Sequence, residues 1–284
     1  MKKLIFLFTV FILIFNINFI SAAEDNLPIE RRINTLQWVS YAPTNFNPEQ
    51  GIFPSDESIR ADMRVLRAAG FNGIITYASD GTLYRIPKIA KEEGFKSVIM
   101  GVWDVKNNVE LQNAKNQAYY VSAYSIGNEG LYGRYSLEEL NDAYDFLDVT
   151  GKPITTTEER NDYLIDNNVL NFGDFLLPNI HPYWDGVVSA GDGANHVKNQ
   201  YMAIKALTNK SILIKETGYP TAGDARVSEN LQKSFYAKLA KKKKVKFSYF
   251  EAFNQPWKDN LAVEPHWGLF KSDRTPKKVV SLFN

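Results

Sequence analysis

Two stretches of this 284-residue chain end an apolar run on a carboxylate: "SILIKETGYP" halts at Glu216 and "VSAYSIGNEG" at Glu129. A charge at the mouth of a core is costly unless it is paired or used. Two carboxylates flanking one pocket have a specific use in glycosidic bond cleavage. One protonates the departing oxygen, and the other attacks the anomeric carbon or activates water. Other apolar runs end on Tyr41, on Tyr77, on Trp103 with Asp104, on Glu158 with Glu159, on His181 with Tyr183 and Trp184, and on Glu251. Ordinary turns favour Gly, Pro, Asn, Asp and Ser. Carboxylates and aromatics are instead the materials of a sugar-binding cleft. Taken singly, Glu129 is equally well read as an acid in an Asn-Glu-Gly turn; it is the pair with Glu216 that favours chemistry.

The elements that must position these groups are legible as alternating patterns. The runs read as strands are "INTLQWVSY", "GIITYA", "FKSVIMGVW", "VSAYSIGNE", "PITTTE", "FLLPNIHPY", "SILIKETG" and "KFSYFEAF". Helical stretches lie between them. "SIRADMRVLRAAG" follows a capping Ser55 and closes on Gly70, and "SLEELNDAYDFLDVTG" opens on the Ser136/Glu139 capping pattern. "IPKIAKEEG" and "ENLQKSFYAKLAKK" repeat the theme, whereas "ERNDYLIDNNVLNFGD" is less clear as a helix. About eight strand-helix units in roughly 260 residues predict a single α/β domain, a (β/α)8 TIM barrel, whose functional groups sit where the strands end. An open doubly wound sheet is the rival, and no Gly-rich phosphate loop follows the first strand to support its nucleotide-binding form. In the barrel, the fourth and seventh strands lie nearly across the axis, so Glu129 and Glu216 can flank one bond.

Composition narrows the function classes. Residues 1–23 read as a cleaved signal peptide: Met1, Lys2 and Lys3 are followed by an apolar run to Ile20 and by the small residues Ser21, Ala22 and Ala23. A retained membrane anchor is the competing reading, because the run is just long enough to span. Residues 24–284 are then the catalytic barrel domain, with a secreted, periplasmic or cell-surface location, no membrane partner after cleavage, and a monomer expected. The net charge of +1 gives no case for a nucleic-acid partner. There is no cysteine, so the core must carry stability without disulfides. His181, His196 and His266 lack metal-ligand spacing, and no metal or cofactor is expected. The run Lys241 to Lys244 reads as a solvated helix end. Aromatics are 13% of the chain, and Tyr41, Tyr77, Trp103, Trp184, Trp257 and Trp267 offer flat faces for sugar rings or fill the core.

The ordered set "SIGNEG", "IKETGYPTAGD", "FEAFNQPWK" and "EPHWGLF" resembles glycoside hydrolase family 17, the β-1,3-glucanase family, in its bacterial and fungal branch. The similarity runs from "WVSYAP" to "HWGLFKSDRTPK". It implies a retaining enzyme acting on β-1,3-glucan by hydrolysis or transglycosylation, with Glu129 as general acid/base and Glu216 as nucleophile. It further implies that Asn128 binds the sugar 2-hydroxyl, that Tyr183 lies near Glu216 and helps hold it ionised, that Glu251 and Lys258 are polar cleft positions, and that Trp257 is a stacking wall. His181 either fixes a loop or touches sugar. Two departures stand out: many relatives have Glu in place of Gln255, and many have Arg in place of Ile75. A carbohydrate-binding barrel without turnover, and a retaining β-1,4-mannanase or xylanase, are the alternative readings.

Overall fold

Short, fully buried parallel strands set the architecture of residues 27–283, the part of the chain that the computed structural model describes; the expected signal peptide lies outside them. The strands are β1 (Trp38–Ser40), β2 (Gly73–Ile75), β3 (Ser97–Val102), β4 (Ala123–Ile126), β5 (Ile154–Thr155) and β6 (Ser248–Tyr249). They form one parallel sheet in the order β5-β4-β3-β2-β1-β6. Every strand residue is buried, as expected when helices cover one face and a packed interior the other.

Between β5 and β6 lie segments 175–180 and 212–216, joined by isolated parallel bridges rather than full ladders: Glu159 to Asn179, Leu176 to Ile212, Asn179 to Glu216, and Ile214 to Phe247. Backbone bonds follow the same path, with the Asn179 amide donating to Glu158 (3.0 Å), Ile180 to Glu216 (2.9 Å) and Ser248 to Ile214 (2.8 Å). Eight parallel segments thus succeed one another around a (β/α)8 barrel, six of them in a continuous ladder.

The helices are α1 (Ile29–Thr35), α2 (Asp56–Ala68), α3 (Ile86–Glu92), α4 (Asn108–Asn116), α5 (Leu137–Asp148), α6 (Arg160–Ile165), α7 (Asn167–Asn171), α8 (Ala190–Lys205) and α9 (Glu229–Ala240). Ser55 caps α2 through the Ser58 amide, and Ser136 with Glu139 forms a complete capping box on α5, each cap worth about 1 kcal/mol. The unclear fifth connection is two short helices, split where Asp166 caps α7.

The first predicted strand begins too early. Ile33 to Thr35 finish α1, and pairing starts only at Trp38. The reason is tertiary: Ile29, Ile33 and Trp38 close the lower end of the barrel against Ile75, Ile99, Ala123, Phe175, Leu177 and Leu213. Gly73 is required beneath this plug, because a Cβ there would stand 2.6 Å from the Trp38 ring.

Candidate active site

The chain leaves β4 through a left-handed turn, with Gly127 at φ +74° and Glu129 at φ +49°. Glutamate in this region costs roughly 1–2 kcal/mol, so the neighbours must hold it. The Glu129 amide donates to the Thr157 carbonyl (2.8 Å), and the Asn128 carbonyl accepts from the Arg134 guanidinium. Tyr135 packs under the turn so closely that a Cβ on Gly127 would lie 2.2 Å from its hydroxyl. That hydroxyl donates to Glu158 (2.8 Å).

Alternation along 175–180 aims its polar residues at the same place. Side chains two apart share a face: the Asn179 amide donates to Glu129 Oε1 (2.7 Å), and His181 Nε2 meets Glu216 Oε2 (3.2 Å). Asn179 also pairs through its backbone with Glu216, so one segment buttresses both carboxylates. Both glutamates line each half of one cleft. One half, about 490 Å³, is walled by Tyr41, Tyr77, Trp103, Trp257 and Lys258. The other, about 460 Å³, is walled by Arg160, His181, Trp184 and Leu261.

The two carboxylates sit in unlike electrostatic surroundings. Desolvation by the cleft walls, then the negative charge of Glu216, pushes Glu129 above the usual carboxylate range against the Asn179 hydrogen bond, although the residue itself is exposed to the cleft. Burial also acts to raise Glu216, but the His181 hydrogen bond and the positive charges of Lys215, His181 and Lys258 outweigh it and hold Glu216 below the usual range. Surroundings this unlike suit one group to act as an acid and the other as a base or nucleophile. Deeper carboxylates behave differently: burial raises both Glu158 and Glu251 to about 7, although Lys258 stands 3.0 Å from both oxygens of Glu251.

A family model for the BtgE/BtgC glycoside hydrolase domain matches residues 39–268. The chain belongs to that family. This BtgE/BtgC domain is 28% identical over 253 residues to the glucan 1,3-beta-glucosidase of Schizosaccharomyces pombe, covering 76% of this chain and 78% of that one. It is 30% identical over 259 residues to the glucan 1,3-beta-glucosidase of Arthroderma benhamiae, covering 76% and 82%. Against the probable beta-glucosidase btgE of Aspergillus fumigatus, identity is 26% over 236 residues, and the chain spans only 42% of that longer protein. In fold it is similar to the glycoside hydrolase family 17 beta-1,3-glucanosyltransferase from Rhizomucor miehei, with TM-score 0.73, 22% identity, and 86% and 96% of the two chains covered.

Most residues singled out from the sequence meet at this cleft, and two need correction. Tyr183 does not reach Glu216. Its hydroxyl donates to Asp224 (2.9 Å), which Arg226 also grips. His181, two positions earlier on the same face, takes that place. Tyr77 stands beside it with a buried hydroxyl lacking a well-formed partner; burial, then the charges of Glu216 and Glu251, keep that phenol protonated. Glu251 is fully buried behind Lys258 rather than lining the cleft. Trp267 is core, edge-on to His181 and Phe250. Tyr41 is a cleft wall of fixed orientation, its hydroxyl bound to Asp62 (2.8 Å).

Sequence reasoning missed Asn179, Lys215 and Glu264. The first two carried a signal, as polar residues inside the apolar runs "FLLPNIHPY" and "SILIKETG". The Gln255 departure has a physical account: its amide accepts from Trp257 Nε1 (2.9 Å) and donates to the Ala42 carbonyl (3.0 Å). An ionised glutamate cannot make the second bond. The Ile75 departure fills the apolar floor.

Proposed function

We propose that this protein is a retaining glycoside hydrolase of the family 17 type acting on β-1,3-glucan. Glu216 attacks the anomeric carbon while Glu129 passes its proton to the leaving oxygen, giving a covalent glycosyl-enzyme. Glu129, now ionised, takes a proton from the incoming water or sugar hydroxyl as that oxygen displaces Glu216. Asn128 holds the 2-hydroxyl, with Tyr77, Trp257 and Lys258 gripping the sugar in one half of the cleft. The reading is carried by one observation above the rest: two glutamates in one cleft, one pushed above the usual carboxylate range and the other held below it. The substrate class is supported by the names of the relatives. Transfer to a second sugar is supported by the open, Trp184-lined half of the cleft on the far side of the pair.

Residues 1–23 are proposed to direct export and to be removed, leaving 24–284 as the working domain. The reaction is tested by reducing-sugar release from laminarin beside cellulose, mannan and xylan. Release from laminarin is expected, and the lengths of the products separate hydrolysis from transfer. Release from mannan or xylan alone overturns the substrate class.

A further inference from the structure

Lys215 is a charged side chain that the steps above leave unused. It is buried to 1% exposure on segment 212–216, two residues beyond Leu213 of the barrel floor, and so points into the interior one layer higher. Its ammonium donates to Asn128 Oδ1 (2.6 Å) and lies 4.4 Å from the Tyr77 ring centre. An ammonium has no acceptor. The amide oxygen must therefore face Lys215, and the group that Asn128 offers to the cleft is its NH2. The charged groups that act most on Lys215 are Glu216, Glu129 and Glu158, with Arg134 a like charge beside them.

We propose that Lys215 is a positioning residue of the site, fixing the Asn128 amide as a donor toward substrate and setting a buried positive charge next to Glu216. This rests on the reading of Glu216 as nucleophile. A buried cation beneath two carboxylates is costly by itself, and burial lowers Lys215 to about 8. That cost is intelligible if the charge acts on its neighbours.

Two neutral variants separate the duties. Lys215→Met removes charge and donor, whereas Lys215→Gln removes the charge and keeps an N–H for Asn128. The readout is the titration of the Glu216 carboxyl carbon in 13C-glutamate-labelled protein, assigned by its loss in Glu216→Gln. Both variants are expected to raise the midpoint by about one unit or more, equivalent to a tenfold loss of ionised Glu216 on the acid side. The acid limb of kcat/KM on laminarin should move up with it, and KM should rise more in the Met variant than in the Gln variant.

A midpoint within a few tenths of wild type in either folded variant overturns the proposal. If neither folds, the wild-type Glu216 resonance decides: it must show a second inflection on the alkaline side as Lys215 loses its proton, and a single inflection overturns the proposal. An absence of laminarin turnover by the wild-type protein defeats the proposed function instead, and leaves the titration to judge Lys215.

Discussion

The floor and the mouth of this barrel are built on the same strands two residues apart, and they are opposites. Leu213, Leu177 and Ile75 pack with Trp38 in the dry floor; Lys215, Asn179 and Tyr77 follow them at the mouth. A step of about 6.6 Å along a strand takes the interior from apolar contacts to buried charges. The floor stabilises the fold without touching the site. The mouth holds Glu158, Glu216, Glu251 and Lys215 buried, with Glu129 exposed to the cleft beside them, and buried charges of this kind oppose folding unless each is matched. The difference teaches that stability and reactivity are separated here by strand position rather than by domain.

The largest effect that can break this comparison lies at the mouth. Glu216→Ala is expected to lower kcat on laminarin by at least about 10⁴-fold, with the cooperative thermal transition retained. Glu129→Ala should lose about 10²–10⁴-fold on laminarin yet still release a good leaving group from an aryl glucoside, a step that needs no acid. Normal turnover in Glu216→Ala, or an equal loss on both substrates in Glu129→Ala, removes the assigned roles. At the floor, Trp38→Ala should do the reverse. Loss of a buried indole costs about 3–5 kcal/mol, a fall on the order of 10 °C in Tm, while kcat per folded molecule stays unchanged. A floor variant that loses kcat without losing Tm would show that the two ends are not separable.

The same contrast governs how much could be read from the sequence. Capping residues are local, so Ser55, Ser136 with Glu139, and the helices they start were legible. The strand ends were legible because each apolar run stops at a polar residue. The plug was not, since Ile33 to Thr35 fit either a strand or a helix until Trp38 and the floor select the helix. Helix α8 opens on "AGDGAN", whose glycines hide its start. Asn179 and Lys215 needed the barrel's alternation before their direction could be known, and the choice between Tyr183 and His181 turned on partners far along the chain, Asp224 for one and Glu216 for the other.

The finest test asks whether the mouth opposes folding in the way its charges imply. Glu158 is 2% exposed, accepts from the Tyr135 hydroxyl, and is raised by burial from 4.5 to about 7. The folded state therefore binds its proton more tightly than the unfolded chain. The stability that this proton contributes is complete below about pH 4.5 and is lost as pH rises through about 7. Glu158→Gln is neutral throughout and escapes that loss. The Tm of the variant minus that of the wild type should accordingly climb between pH 4.5 and pH 8, by an amount equivalent to about 3 kcal/mol. Titrating groups remote from Glu158 are common to both proteins and cancel in this difference. A gap that stays flat with pH would mean that Glu158 is already comfortably ionised, and the mouth would then be no more costly to build than the floor.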